Sequence, residues 1–180
     1  SNVASGTLSL AGGGSSIASG YGSVVLGVGG NANSVRSRNV FANSSVTGDA
    51  QKSTFIFRQR TTDGTLTTFT IEGTGASSVN QIVLNNNSAY RFKGTIIAKQ
   101  SASTNVAAWD IDGLIVRGAN AAATTLLISN VTLVQNTPAW GTPTLSTDTV
   151  QGSLRIQIQG AAATNIQWVG NIETTEVIYA

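Results

Sequence analysis

The tightest carboxylate pair in the chain is Asp110 and Asp112, set two residues apart in Trp109-Asp110-Ile111-Asp112-Gly113. On a strand this spacing points both side chains to one face, roughly 6.5 to 7 Å apart, within the ~5 to 10 Å that separates the two carboxyl groups of a glycosidase. Such an enzyme usually takes its pair from different strands across a sugar. Alternation of Asp110 and Asp112 with Trp109, Ile111 and Gly113 instead describes the wet face of an amphipathic strand. Asp112-Gly113 also opens like a calcium loop, Asp-x-Asp-Gly, but the later oxygen ligands and the closing Glu are missing. The sequence has no His and no Cys. Ser-His-Asp and Cys-His catalysis, the usual zinc sites and disulfides are thereby excluded. No catalytic residue, metal ligand or cofactor is assigned, and the chain is read as non-enzymatic.

Groups that could bind rather than react are few. Arg58 and Arg60, and likewise Arg91 and Lys93, are basic pairs two residues apart. Either could hold an acidic sugar through charge-assisted hydrogen bonds. The alternative is that they guard an edge strand against aggregation. Of the three tryptophans, Trp109 and Trp168 stand beside apolar partners in alternating segments and are expected in the core. Trp140 follows Pro138 in a loop and is the receptor-binding candidate, as an exposed indole able to stack on a sugar ring. The competing reading makes it a plug at the end of the fold, since large aromatics are rarely left fully exposed.

The elements that position these residues are strands. Phe55-Ile56-Phe57-Arg58-Gln59 and Thr65-Leu66-Thr67-Thr68-Phe69-Thr70-Ile71 flank Thr61-Thr62-Asp63-Gly64, and Asp-Gly predicts a hairpin that pairs them antiparallel. Segments around Tyr90 to Ile96, Leu154 to Gln159 and Ile166 to Ile172 alternate apolar or small residues with polar ones, while Leu126-Leu127-Ile128 and Val131-Thr132-Leu133-Val134 read as a more fully apolar pair. Turns are expected at Asn85-Asn86-Asn87, Gly118-Ala119-Asn120, Thr137-Pro138 and Gly160-Ala161. Nothing repeats at the helical period. The predicted class is all-β, an antiparallel β-sandwich or jelly roll over residues 51–180, with a Gly/Ser/Asn-rich, β-structured shaft or roll-like segment over 1–50. The first residues read as the interior of a longer shaft.

Composition narrows the partners. Charged residues are only 10% of the 180, against about 25% in an average domain, so surfaces are neutral and lose little on meeting another chain or a sugar. The net charge is +2, and the cations are scattered. A pI near 9.3 therefore predicts no nucleic-acid partner, which needs clustered cations. No apolar run reaches the ~18 residues of a membrane span, so no membrane insertion is expected.

Gly48-Asp49-Ala50-Gln51, Phe55 to Arg58 and Thr61-Thr62-Asp63-Gly64-Thr65 resemble the start of the carboxy-terminal domain of bacteriophage tail-fibre proteins. The resemblance continues through Ala107-Ala108-Trp109, Gly118-Ala119, Leu126, Ser146-Thr147-Asp148-Thr149 to Leu154, and Ile166-Gln167-Trp168-Val169 into Thr174-Thr175-Glu176-Val177, covering roughly residues 41 to 180. Upstream, the stretch from Ile17 to Gly27 is similar to the Ser-x-Ala-x-Gly head repeats of trimeric adhesins. The resemblance implies a homotrimer with a knob at a fibre tip, located in the virion, without cofactor or catalytic residues. Host attachment through a bacterial surface polysaccharide or protein is the expected role. A purely structural module and a polysaccharide depolymerase domain are the alternatives.

Overall fold

The computed structural model describes residues 1–179, which form fourteen strands and one 3-10 turn, Ala121–Ala123, with no α-helix among the described residues. The chain starts as parallel coils built from β1 (Val3–Ala4), β2 (Leu10–Gly14), β3 (Ile17–Ala18), β4 (Val24–Val28) and β5 (Asn39–Asn43). On one side of the coil Val3 lies opposite Ile17, which bridges Asn31. On the other Leu10 lies opposite Val24, 14 residues on, and Val24 opposite Asn39, 15 residues on. Ala4-Ser5-Gly6 accordingly recurs one turn later as Ala18-Ser19-Gly20. The apolar interior of the coils is narrow, a cluster of Ala18, Val25, Ala32 and Val40 with Ala11 and Ala42 at its margin. Turns stack equally closely. Gly27 has φ +103°, and a Cβ there would lie 2.0 Å from the Ala42 carbonyl oxygen, so only glycine fits.

β5 pairs antiparallel with β6 (Ala50–Thr61), and the sheet of the coils thereby runs into a larger one. β9 (Ser88–Gln100), β10 (Val106–Arg117), β11 (Thr124–Asn136) and β14 (Ile166–Ile178) complete it in the order β11-β10-β9-β14-β6-β5-β4-β2. A smaller sheet of β12 (Gly141–Asp148), β13 (Ser153–Gln159) and β7 (Leu66–Phe69), with β8 (Ile82–Val83) also on β13, shares a core with it. Period-two alternation decides which side chains face that core. In β14, Ile166, Trp168 and Ile172 are buried while Gln167, Val169 and Asn171 are exposed. Phe57 meets Phe69 across the layers at 5.5 Å, and Gly170 makes room, since a Cβ there would lie 2.7 Å from the Phe69 ring.

Two expectations fail. The segments flanking Asp63-Gly64 do not form a hairpin ladder. β7 leaves for the smaller sheet to pair with β13, and one bridge, Arg58 to Thr70, remains between the two segments. Phe69 is thereby placed over Gly170, a burial that a local hairpin would not provide. The apolar pair of segments between Leu126 and Val134 is one 13-residue strand, β11, with Asn130 in its middle.

A buried ion pair ties the coils to the end of the chain. Arg38 and Glu176 side chains are fully buried, and Arg38 Nη2 donates to Glu176 Oε2. Arg38 Nε donates to Ser53 Oγ at 2.9 Å and Nη1 to the Ala32 carbonyl at 3.3 Å. Gln51 Nε2 and Thr174 Oγ1 donate to the Glu176 oxygens at 2.7 and 2.5 Å. The guanidinium also lies 5.4 Å from the centre of the Phe55 ring, a cation–π distance. Burial disfavours the Arg38 charge, but Glu176 and the Tyr90 hydroxyl outweigh that and leave its pKa raised. Tyr90 itself is pushed up, first by burial and then by the Glu176 carboxylate. Removing one partner strands the other in the core. Glu176→Gln or Arg38→Met is expected to cost about 3 to 5 kcal/mol in urea unfolding, and the combined Arg38→Met, Glu176→Leu variant less than the sum of the two. Additive losses would show that the two groups are not coupled.

Candidate functional site

Strand register assembles the charged residues on the outer face of the large sheet. Thr54, Glu173, Lys93, Asp112 and Asn130 are successive partners across β6, β14, β9, β10 and β11. The next row is Ile56, Asn171, Thr95, Asp110 and Thr132. Between the rows lies a cleft of about 440 Å³, lined by Lys93, Thr95, Asp110, Asp112, Asn171 and Glu173. Arg91 Nη2 sits 2.5 Å from Asp112, and Lys52 Nζ 3.0 Å from Glu173, which Lys93 approaches to 4.0 Å. Thr95 Oγ1 donates to Asp110 at 2.8 Å.

Asp110 and Asp112 thus share the face that their spacing predicts. The hydrogen bond from Arg91, helped by Asn130, holds the Asp112 carboxyl below the usual carboxylate range. A general acid needs the opposite shift. At neutral pH Asp112 is an anion engaged by a guanidinium, suited to accept hydrogen bonds rather than to give up a proton.

The basic pairs fall in different settings. Arg91 and Lys93 belong to β9, which lies between β10 and β14, so they guard no edge and instead neutralise Asp112 and Glu173. Arg58 and Arg60 are exposed on β6 beyond Thr54, where pairing with β5 stops. Arg58 keeps one bridge, to Thr70, and Arg60 lies past it, where β6 is free on that side and cations discourage edge-to-edge pairing.

Trp140 is a plug. It is 5% exposed, packs on Trp168 at 6.2 Å with the rings tilted by 52°, and Trp168 stacks in turn on Trp109 at 5.7 Å. Asn136 clamps the loop through its side chain, donating to the Trp140 carbonyl at 2.7 Å and accepting from the Trp140 N–H at 2.9 Å. The indole face is spent on the core and is withdrawn from the set of sugar-stacking candidates.

The surface that sequence reasoning missed is β11. It ends the large sheet, leaving one row of backbone groups unpaired. Leu127, Ile128, Leu133 and Val134 are 50 to 60% exposed. From Thr124 to Asn136 there is no charge and no proline to blunt the edge. The signal was present as a long apolar run without gatekeepers, but whether such a run is core or edge depends on what packs over it.

The fold defines an all-β chain in which parallel coils feed a large mixed sheet backed by a smaller one. No protein-family model matches the sequence, and no curated protein matches it. Among solved structures the chain is similar to a tailspike protein, gp49, from Acinetobacter baumannii bacteriophage Fri1, a capsular polysaccharide depolymerase, with a TM-score of 0.42 and 13% identity. The match covers 77% of this chain and 20% of the tailspike, so it spans about a fifth of that protein. That likeness is too low to define a common fold.

In a carbon-detected NMR titration, the Asp112 carboxyl is expected to titrate below the ordinary Asp range and to return toward it in Arg91→Gln. An ordinary Asp112 in the parent protein would mean that the Arg91 contact does not persist in solution.

Proposed function

We propose that this chain is a non-enzymatic structural and attachment module, the distal part of a bacteriophage tail fibre, which assembles as a homotrimer with a β-sandwich knob. Its partner outside the particle is a bacterial surface polysaccharide or protein. The observation that carries this reading is β11, an uncharged 13-residue edge strand with apolar side chains exposed along its length. Long apolar edges are aggregation sites unless something covers them, and β11 is interrupted only by the irregularities at Leu127 and Val134. A second copy of the chain is the occupant this reading assigns. In a threefold ring each copy presents β11 to a different surface of its neighbour, and closure leaves no free edge. Low charge favours such contacts, because few ions must be desolvated. Support comes also from the resemblance over residues 41 to 180 and from the closely wound coils, which suit a shaft.

A second reading, a fibre module without its own receptor site, is favoured by the burial of Trp140. The two readings share the trimer and differ in whether a ligand binds.

Light scattering tests the assembly. A mass near three times 18.4 kDa, constant on dilution, is the expected result. Ile128→Lys combined with Leu133→Lys should lower it to one chain with an unchanged far-ultraviolet spectrum. A parent protein that is monomeric at every concentration removes the reading, and a trimer indifferent to both substitutions removes β11 from the interface.

A further inference from the structure

We infer that a second cleft, at the junction of the coils and the two sheets, is a binding site for a carboxylate-bearing saccharide. This rests on the attachment reading and gives it a site that Trp140 does not provide. The cleft has a volume of about 450 Å³ and takes its walls from five separate segments, among them Asn33 and Ser34 of a coil turn, the loop through Asn85 and Asn86, Arg117 at the end of β10, and Gln151 between β12 and β13. Its size falls within the range of small-molecule sites.

The chemistry of the walls is specific. Arg117 is the one charged residue lining the cleft, and among the described residues it pairs with no carboxylate. Nη1 donates to the Leu84 carbonyl at 2.6 Å, which fixes the guanidinium, and the Gly152 backbone lies against it. Arg117 Nε is buried without a hydrogen-bond partner. A fixed, half-buried guanidinium that lines the cleft with no counter-charge among the described residues suits a carboxylate, which it can hold through charge-assisted bonds. Around it the side-chain amides of Asn33, Asn86 and Gln151 are neutral and can each donate and accept, matching vicinal hydroxyls. The chain end passes close by, the Tyr179 backbone N–H donating to the Asn87 carbonyl at 3.0 Å, but the Tyr179 ring is not part of the lining. Neutral hydrogen-bonding side chains around one cation describe an acidic sugar better than a free inorganic anion or a nucleic acid, which would call for several cations.

The test is a titration of isotope-labelled full chain, followed by NMR, with uronic-acid and sialic-acid oligosaccharides, neutral malto-oligosaccharides, and inorganic phosphate. Saturable shifts at Asn33, Asn86, Arg117 and Gln151 with at least one acidic oligosaccharide are expected. Asn86→Ala, an exposed position that spares the fold, and Arg117→Gln should each weaken that binding, the latter by roughly tenfold or more. Arg117→Lys should recover only part of it, because the ammonium lacks the planar fork. The proposal is overturned if no acidic oligosaccharide gives saturable shifts, if neutral sugars bind as well, if phosphate competes equally on these residues, or if Asn86→Ala and Arg117→Gln bind like the parent. A monomeric chain that still binds would remove the trimer reading and leave the site, whereas a trimer that binds none of these sugars would remove the site and leave the assembly.

Discussion

The Arg38–Glu176 pair is the constraint on which the arrangement of the two ends depends. The coils have little core of their own, since their apolar cluster is made of alanines and valines and small side chains bury little area. Their last turn is held by an arginine that reaches into the sheet and meets a carboxylate 138 residues away in sequence. Gln51 extends the same network, bonding Asn31 of the coils in both directions while it donates to Glu176. A charge so deeply buried is tolerable only when it is paired and each of its nitrogens finds an acceptor. Ala32, Ser53 and Glu176 meet that condition at three separate places along the chain.

With only 18 charged residues, the sum of 10 cations and 8 anions, the placement of each one shapes the surface. One pair is interior, and another group lies along the outer face, where Lys52, Glu173, Arg91 and Asp112 pair in solvent-facing rows. Asp148, though desolvated, is held below the usual range by the backbone N–H of Gln151 and by Arg155. What remains is a molecule with bare regions. β11 is one, and the cleft at Arg117 is another, with a single cation among amides. Scarcity of charge thus accounts at once for an edge strand without a charged residue and for a cleft lined by a single cation.

Much of the architecture was legible. Period-two alternation identified the buried face of β9, β10, β13 and β14, and the burial of Trp109 and Trp168 follows from their neighbours. The coils were visible as a texture of small residues, whereas the recurrence of Ala-Ser-Gly that carries their period stood out only once the turns were stacked. The hairpin at Asp63-Gly64 illustrates the limit. The turn itself forms, with Asp63 accepting from the Thr65 N–H at 2.8 Å, yet the strand that follows pairs elsewhere because Phe69 finds a deeper seat against Gly170.

The sequence by itself determined that the chain is β throughout, that it lacks the histidine and cysteine on which most hydrolytic and thiol chemistry depends, and which side chains of each strand share a face. Those properties are local, set by composition and by the two-residue repeat of a strand. Only the tertiary structure decided that Trp140 is spent on the core, that β11 is left at an edge, and that Asn33, Asn86, Arg117 and Gln151 converge on one cleft. Such facts concern which distant segments touch, and strand partners are chosen by packing between residues that no local pattern relates.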